Sequence, residues 1–376
     1  MKKEASMKIG ISTIVDYYNY GNRLQNYALQ QVLYGMGHEV ETIRNYYQNK
    51  SSNPSNKIYR VSLEIKNGTF ISKIKNRRRN KRRQQKFIEF TRKNISETEY
   101  LINANTKDEE LKNIGNKFDA FIIGSDQVWN YTFPRFSEFD FVTYSNRPKI
   151  SYAASFGVSN IEERLKHLYR HGLTEIDYIS VREEAGSKIV KDLIGVNPPV
   201  VLDPTMLLTV NEWRILTKNS ELHIQQNYVV TYFLGDMTSE YSSYIENYAR
   251  KKNLKIIHLG NIKDKKMWVI DPTEFINLID KAQAVFTDSF HACVFSIIFE
   301  KYFEVFERQS EMLSMNSRID TLLKDFKIEN RWNHLDNDNK QEIDYSSVKK
   351  ILNKRRKESL EFLDASLSKV QSSNNN

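Results

Sequence analysis

His291 lies in Thr287–Cys293, TDSFHAC, between the apolar run AVFT and a second apolar run long enough for a helix. That places it in the first turn of a helix, where the backbone dipole disfavours imidazolium. A bound dianion would reverse that preference. The ring would then hold its proton chiefly when an anionic ligand is present, as a general acid near neutral pH must. Asp288 and Ser289 stand beside it in sequence as candidate binding groups. Cys293 makes no dyad with it, because positions i and i+2 of a helix face different ways; Cys293 is expected to be buried.

Arg182 closes the apolar run of Asp177–Glu183, DYISVRE. An unpaired cation there is expensive. Either Glu183 or Asp203 pairs with it, or it receives an anion; the second reading is preferred, because a guanidinium matches phosphate or carboxylate with two parallel bonds.

Three further segments carry polar groups at the ends of apolar runs. Gly124–Trp129, GSDQVW, offers Ser125, Asp126 and Gln127, a string suited to hydrogen bonding a polyol. Ser151–Gly157, SYAASFG, brings Ser155 and Gly157 to the same rim. Turn chemistry accounts for these two segments about as well as ligand binding does. In Asn19–Leu29, NYGNRLQNYAL, Gly21 permits a tight turn, Asn22 can cap the following helix, and Gln25 lies one turn on. The helix amides would face an anion, although a turn plus a cap explains the segment without one.

Each cluster begins where a strand should end. Lys8–Ile14 reads as strand, Asn22–Met36 as an amphipathic helix stopped by Gly37, and His38–Ile43 as strand: a βαβ opening. Alternation resumes with strand at Phe118–Gly124, then Lys149–Ala154, Ile176–Val181 and a short one at Val200–Asp203, with helices at Ile161–His171 and Glu184–Leu193. After a linker around Thr209–Gln226, strands at Tyr228–Leu234, Leu254–Leu259 and Ala284–Thr287 alternate with helices at Ser239–Lys252, Thr273–Asp280 and Phe290–Phe299. Strands separated by helices imply parallel sheets. The expected fold class is α/β, two Rossmann-like domains facing across a cleft, which resembles the GT-B architecture. The expected domains are 1–208, with a polar insertion at 48–100 carrying some helix near Gln84–Lys93; 209–335; and 336–376, a C-terminal helix with a disordered tail. Ligands of such sheets bind at the carboxyl ends of the strands.

Bulk properties narrow the classes. The net charge is +9 and the one cysteine excludes an internal disulfide or a cysteine zinc cluster. No run of ~18 apolar residues spans a membrane, and no signal peptide is read at Met1–Ser6, so a cytoplasmic location is expected. The remaining histidines show no metal-ligand spacing, and there is no P-loop, GxGxxG or carboxylate triad; no metal and no cofactor are expected. Much of the charge lies in Arg77–Arg83, RRRNKRR. It reads as a solvated face, or as a peripheral contact with an anionic membrane at its inner side. No recognition motif accompanies it, so nucleic acid is not the expected partner.

In this order, NYGNRLQNYAL, GSDQVW, SYAASFG, DYISVRE, LDPTML and TDSFHA resemble the motif series of the polysaccharide pyruvyl transferase family. The resemblance runs from Asn19 to Ala292, outside the insertion. It implies a GT-B-like fold, phosphoenolpyruvate as co-substrate, and a pyruvate ketal on a sugar of a capsule, exopolysaccharide or cell-wall polymer, the acceptor being free or lipid-linked. It implies a general-acid role for His291 and an essential one for Arg182, with Gly21, Asn22, Gln25, Ser125, Asp126, Gln127, Ser155, Asp288 and Ser289 as candidates for the donor or sugar pocket. Many relatives carry an arginine two positions before the histidine. Here Ser289 stands there, so a cation from elsewhere has to compensate. Two rival readings remain: a nucleotide-sugar glycosyltransferase of the same architecture, and a non-enzymatic scaffold for polysaccharide assembly docking through Arg77–Arg83.

Overall fold

The computed structural model describes residues 6–45, 70–103, 105–220, 222–309, 317–333, 335 and 341–374. Six strands form the first sheet: β1 (Lys8–Ser12), β2 (Glu39–Asn45), β3 (Glu97–Ile102), β4 (Ala120–Ile123), β5 (Lys149–Ala154) and β6 (Tyr178–Val181). Their order is β3-β2-β1-β4-β5-β6, parallel throughout. The second sheet holds β7 (Tyr228–Tyr232), β8 (Lys255–Leu259), β9 (Ala284–Thr287) and β10 (Tyr302–Val305), also parallel, in the order β10-β9-β7-β8. β4 (AFII) and β7 (YVVTY) are buried along their whole length, because helices cover both faces of a parallel sheet.

Each sheet reverses its winding at one place, between β1 and β4 in the first and between β7 and β9 in the second. Open α/β sheets leave a crevice at that point, outside the carboxyl ends of the strands. Register sharpens it: Ser12 pairs with Ile123 and Tyr232 with Thr287, so each pair of strands runs out level and its loops leave side by side.

The two halves share one apolar core. It runs from Ile9, Leu24 and Tyr152 through Val230, Phe275 and Phe295 to Leu363. Tyr20 is fully buried at the join, stacked on Phe275 with ring centroids 4.5 Å apart. The helix Phe70–Asn94 adds a strap. Its Arg83 is buried against the rings of Tyr20 and Trp268, donating to the carbonyls of Trp268 and Tyr18, and Lys86 pairs with Glu274 at 2.8 Å. The helix Tyr345–Asn374 returns to the first half, where Leu202 N donates to Ser359 Oγ and Arg356 Nε to the Met206 carbonyl.

Several expectations are corrected. The segment 48–100 is not merely an insertion: residues 48–69 lie outside the described residues, but the rest is a 25-residue helix followed by β3. Its alternation was hidden because the edge strand ETEYLI buries little. Val200–Asp203 is not a strand; it makes a single bridge, Val181 to Val200, before Asp203 caps a turn. The expected linker contains the helix Val210–Thr217, opened by a capping box of Thr209 and Glu212. The final helix reaches Asn374, so the stretch read as disordered is helical up to that residue.

Candidate active site

The helix Tyr20–Gly35 starts where Asn19, not Asn22, accepts from a first-turn amide: the Asn19 side chain receives Asn22 N. The expectation that Asn22 caps this helix is thus overturned, and its side chain turns to another use. Asn22 Oδ1 accepts from Asp16 N and from Nε and Nη2 of Arg23, a fully buried arginine tied to Glu97 at 2.8 Å. With its oxygen so occupied, the amide must present Nδ2, which donates to Asp126 Oδ2 at 2.9 Å. Asp126 leaves β4 with φ 70°, a conformation Asp tolerates better than most residues, and bridges to Ala154.

Arg182 follows β6 and reaches across the same crevice. Nη1 donates to Asp203 Oδ2 at 2.7 Å, Nη2 lies 3.5 Å from Asp126 Oδ1, and the guanidinium stacks 4.6 Å from the Phe290 ring. Asp203 closes the arrangement. It also accepts from Ser125 Oγ and from the amide and hydroxyl of Thr205, and its Oδ2 faces His291 Nε2 at 3.7 Å. That separation suits an ion pair but not a hydrogen bond, so this buried imidazole nitrogen has no hydrogen-bond partner among the described residues. Gly21 admits the imidazole from the other side: a Cβ built there would stand 2.0 Å from His291 Nδ1. Glu97, Arg23, Asn22, Asp126, Arg182, Asp203 and His291 therefore form one chain of contacts that runs from the first sheet to the helix Phe290–Ile298 of the second.

Burial pushes the carboxyl of Asp203 up, but the His291 imidazole, the Arg182 guanidinium and the Thr205 hydroxyl together hold it well below the ordinary carboxylate value. Asp126 is depressed in the same way, burial being outweighed by Arg182, His291 and Asn22. Burial works against the charge of Arg182, and Asp203, Asp126 and Glu183 more than restore it. All three groups are held charged by one another, as a network of buried ions requires.

The other candidates divide. Gln25 is fully buried and donates to Thr13 Oγ1 and the Asn22 carbonyl, supporting the Asn22 turn, while its Oε1 has no partner. Ser125 Oγ is spent on the Ala153 carbonyl and Asp203. Gln127 is bound to Asn130, and Ser155 donates to Glu183, whose Oε1 also receives Phe156 N, so both shape loops. Asp288, expected to serve beside His291, instead receives the amides of Leu234 and Gly235 and pairs with Arg308. Asp203 takes that place, brought from far along the chain. Ser289 sits at the N-cap without a side-chain cap bond. Cys293 is buried as expected, its thiol pushed up by burial. Among the described residues no three His, Cys, Asp or Glu side chains gather to hold a metal ion.

Two features of the site escaped sequence reasoning. Asp203 was one of two candidate partners for Arg182, and the structure chooses it over Glu183, but its place beside His291 depends on how the two halves meet. Arg318 gave no signal at all: it lies in a polar stretch, yet the helix Ser317–Asp325 buries it to 5% exposure, 5.8 Å from the ring of Phe290.

The family model for polysaccharide pyruvyl transferase matches residues 19–310. Among solved structures, the chain is similar to a UDP-GlcNAc 2-epimerase from Neisseria meningitidis (10% identity, 96% of this chain and 99% of that one, TM-score 0.50). It is also similar to UGT89C1 from Arabidopsis thaliana (8% identity, 98% and 100%, TM-score 0.49). Another similar structure is a UDP-GlcNAc 2-epimerase from Methanocaldococcus jannaschii (13% identity, 92% and 99%, TM-score 0.47). At these identities the first likeness speaks for the fold alone, the GT-B-like pairing of two Rossmann-like domains. No curated protein matches the chain.

Proposed function

Since the chain belongs to the polysaccharide pyruvyl transferase family, we propose that it moves a pyruvyl group from phosphoenolpyruvate onto two hydroxyls of one sugar, forming a ketal on a surface-glycan precursor. One observation carries this reading: Arg182 and His291 converge on the same carboxylate oxygen of Asp203, in the crevice where both sheets reverse.

The chemistry asks for three things. The donor's enol methylene must be protonated, which makes the central carbon electrophilic; His291, its Nε2 3.7 Å from Asp203 Oδ2, supplies that proton. The first sugar hydroxyl then adds to this carbon. The carbon–oxygen bond to phosphate breaks, with Arg182 stabilising the charge that grows on the leaving group through Nε and Nη2, neither of which makes a hydrogen bond among the described residues. Finally the second hydroxyl adds. Of the two hydroxyl protons released, one replaces the proton that His291 delivered to the methyl group and the other leaves with phosphate. Arg182 is partly neutralised by Asp203 and Asp126, so in this reading it orients and stabilises rather than acting as a free anion receptor.

The outward face of the helix Phe70–Asn94 is part of the same proposal. Arg79 and Arg83 turn inward, but Arg77, Arg78, Lys81 and Arg82 remain exposed. They form a basic face suited to an anionic membrane that presents a lipid-linked acceptor. No helix among the described residues is long and apolar enough to cross a membrane.

The test is incubation of the full chain with phosphoenolpyruvate and candidate acceptor glycans, following phosphate release and glycan mass. Acceptor-dependent phosphate release with a pyruvate ketal on the glycan is expected. No release, together with thermal stabilisation by nucleotide sugars but not by phosphoenolpyruvate, would replace the reading with a glycosyltransferase.

A further inference from the structure

Arg318 is a buried cation that lacks a close counter-ion among the described residues. Among the described residues its guanidinium makes no ion pair and no hydrogen bond, and its Nε is fully enclosed without a partner. Among the described residues Phe290, 5.8 Å away, is its one aromatic contact, near the outer limit of a useful cation–π distance. The same ring carries Arg182 at 4.6 Å, so two guanidiniums lie against the residue that precedes His291. Their situations differ. Arg182 already has Asp203 and Asp126, whereas Glu183 and Asp126 reach Arg318 only at longer range and Arg182 repels it. Burial, followed by the charge of Arg182, draws its pKa from 12.5 down to about 9, so it remains a cation near neutral pH.

Enclosing a charge without a counter-ion costs several kcal/mol. A side chain with that cost and no structural bond to show for it is explained by a ligand that completes it. We infer that Arg318 is the principal anion-receiving side chain of the site, binding the phosphate or carboxylate of the donor while Arg182 and His291 face the reacting carbon. This rests on the pyruvyl-transfer reading for the identity of the donor, but not for the anion site itself. Arg318 comes from the helix Ser317–Asp325, which packs on both the helix Glu184–Ile194 of the first half and the helix Phe290–Ile298 of the second. An anion held there would contact both halves of the molecule.

Titration calorimetry of the full chain with phosphoenolpyruvate, inorganic phosphate and pyruvate tests the assignment, on wild type, Arg318→Gln, Arg318→Met and Arg318→Lys. Phosphoenolpyruvate affinity is expected to fall at least ~10-fold in the Gln and Met variants and to recover in part with Lys. The unliganded Tm of the Gln and Met variants should equal or exceed that of wild type, because an unanswered charge has been removed. Whichever of phosphate or pyruvate loses affinity alongside the donor identifies the group bound. Unchanged affinity for all three probes would overturn the inference, as would a lowered unliganded Tm that Lys restores without restoring affinity. If wild type binds phosphate through Arg318 but neither binds nor consumes phosphoenolpyruvate, the anion site stands and the pyruvyl-transfer reading falls. If phosphoenolpyruvate is consumed with unchanged KM in Arg318→Gln, the reverse holds.

Discussion

The imidazole of His291 occupies the space where any other residue at Gly21 would carry its side chain, with Nδ1 only 2.0 Å from the position of an added Cβ. Helix geometry does not ask for glycine there; the approach of a ring from the other half of the molecule does. Gly21→Ala would remove glycine's extra backbone freedom from the first turn of the helix and yet force the imidazole away from Asp203. The expected outcome is a fall of roughly 100-fold in kcat, since small misplacement of a reacting group has that scale of effect. Phosphate release measured beside circular dichroism would separate lost alignment from lost fold.

His291→Gln keeps a polar side chain of similar reach but cannot deliver a proton. Acceptor-dependent phosphate release should drop at least ~100-fold, with donor affinity within a few-fold of wild type by calorimetry. Retained turnover would remove His291 from the proton step.

Asp203→Asn breaks a buried pair from one side and leaves Arg182 with less to balance it, which should cost about 3–5 kcal/mol in urea unfolding at neutral pH. The acid limb gives a second readout. A carboxylate held below its ordinary 3.8 contributes stability at any pH above that value and loses it as the pH falls toward the folded-state value. Wild type should therefore lose stability on acidification below about pH 4. Asp203→Asn should show a shallower loss over that window, with Asp126 supplying what remains.

Reversal of the exposed basic face, with Arg77, Arg78, Lys81 and Arg82 all changed to Glu, leaves the inward contacts of Arg79, Arg83 and Lys86 in place. Binding to vesicles containing anionic lipid should be salt-sensitive in wild type and lost in the variant, at about 1 kcal/mol for each basic residue near the surface. Activity on a soluble acceptor should not change. Equal vesicle binding by the two proteins would refute a membrane role for this face.

The alternation of apolar strands with amphipathic helices was legible over most of Lys8 to Phe299, outside the segment 48–100 and the stretch around Val200–Thr217, because burial on a sheet or a helix face is written in the spacing of each segment alone. For the same reason His291, Arg182, Asp126 and Asn22 could be placed at strand ends before any coordinates. Apart from Asp203 as one of two candidates for Arg182, their partners could not. Asp288 lies three residues from His291 but is turned to the amides of Leu234 and Gly235, while Asp203 arrives from the other half to face the ring. Asn19 and Asn22 compete for one cap, and only Arg23, fixed by Glu97 on β3, decides which of them is free to hold Asp126. Arg318 looked like any surface arginine until packing enclosed it beside Phe290. Sequence determined which residues could do chemistry and on which rim they would stand, since periodicity is local; strand order and the meeting of the two halves decided which charges answer one another, since Coulomb interactions depend on distances that no neighbour in sequence records.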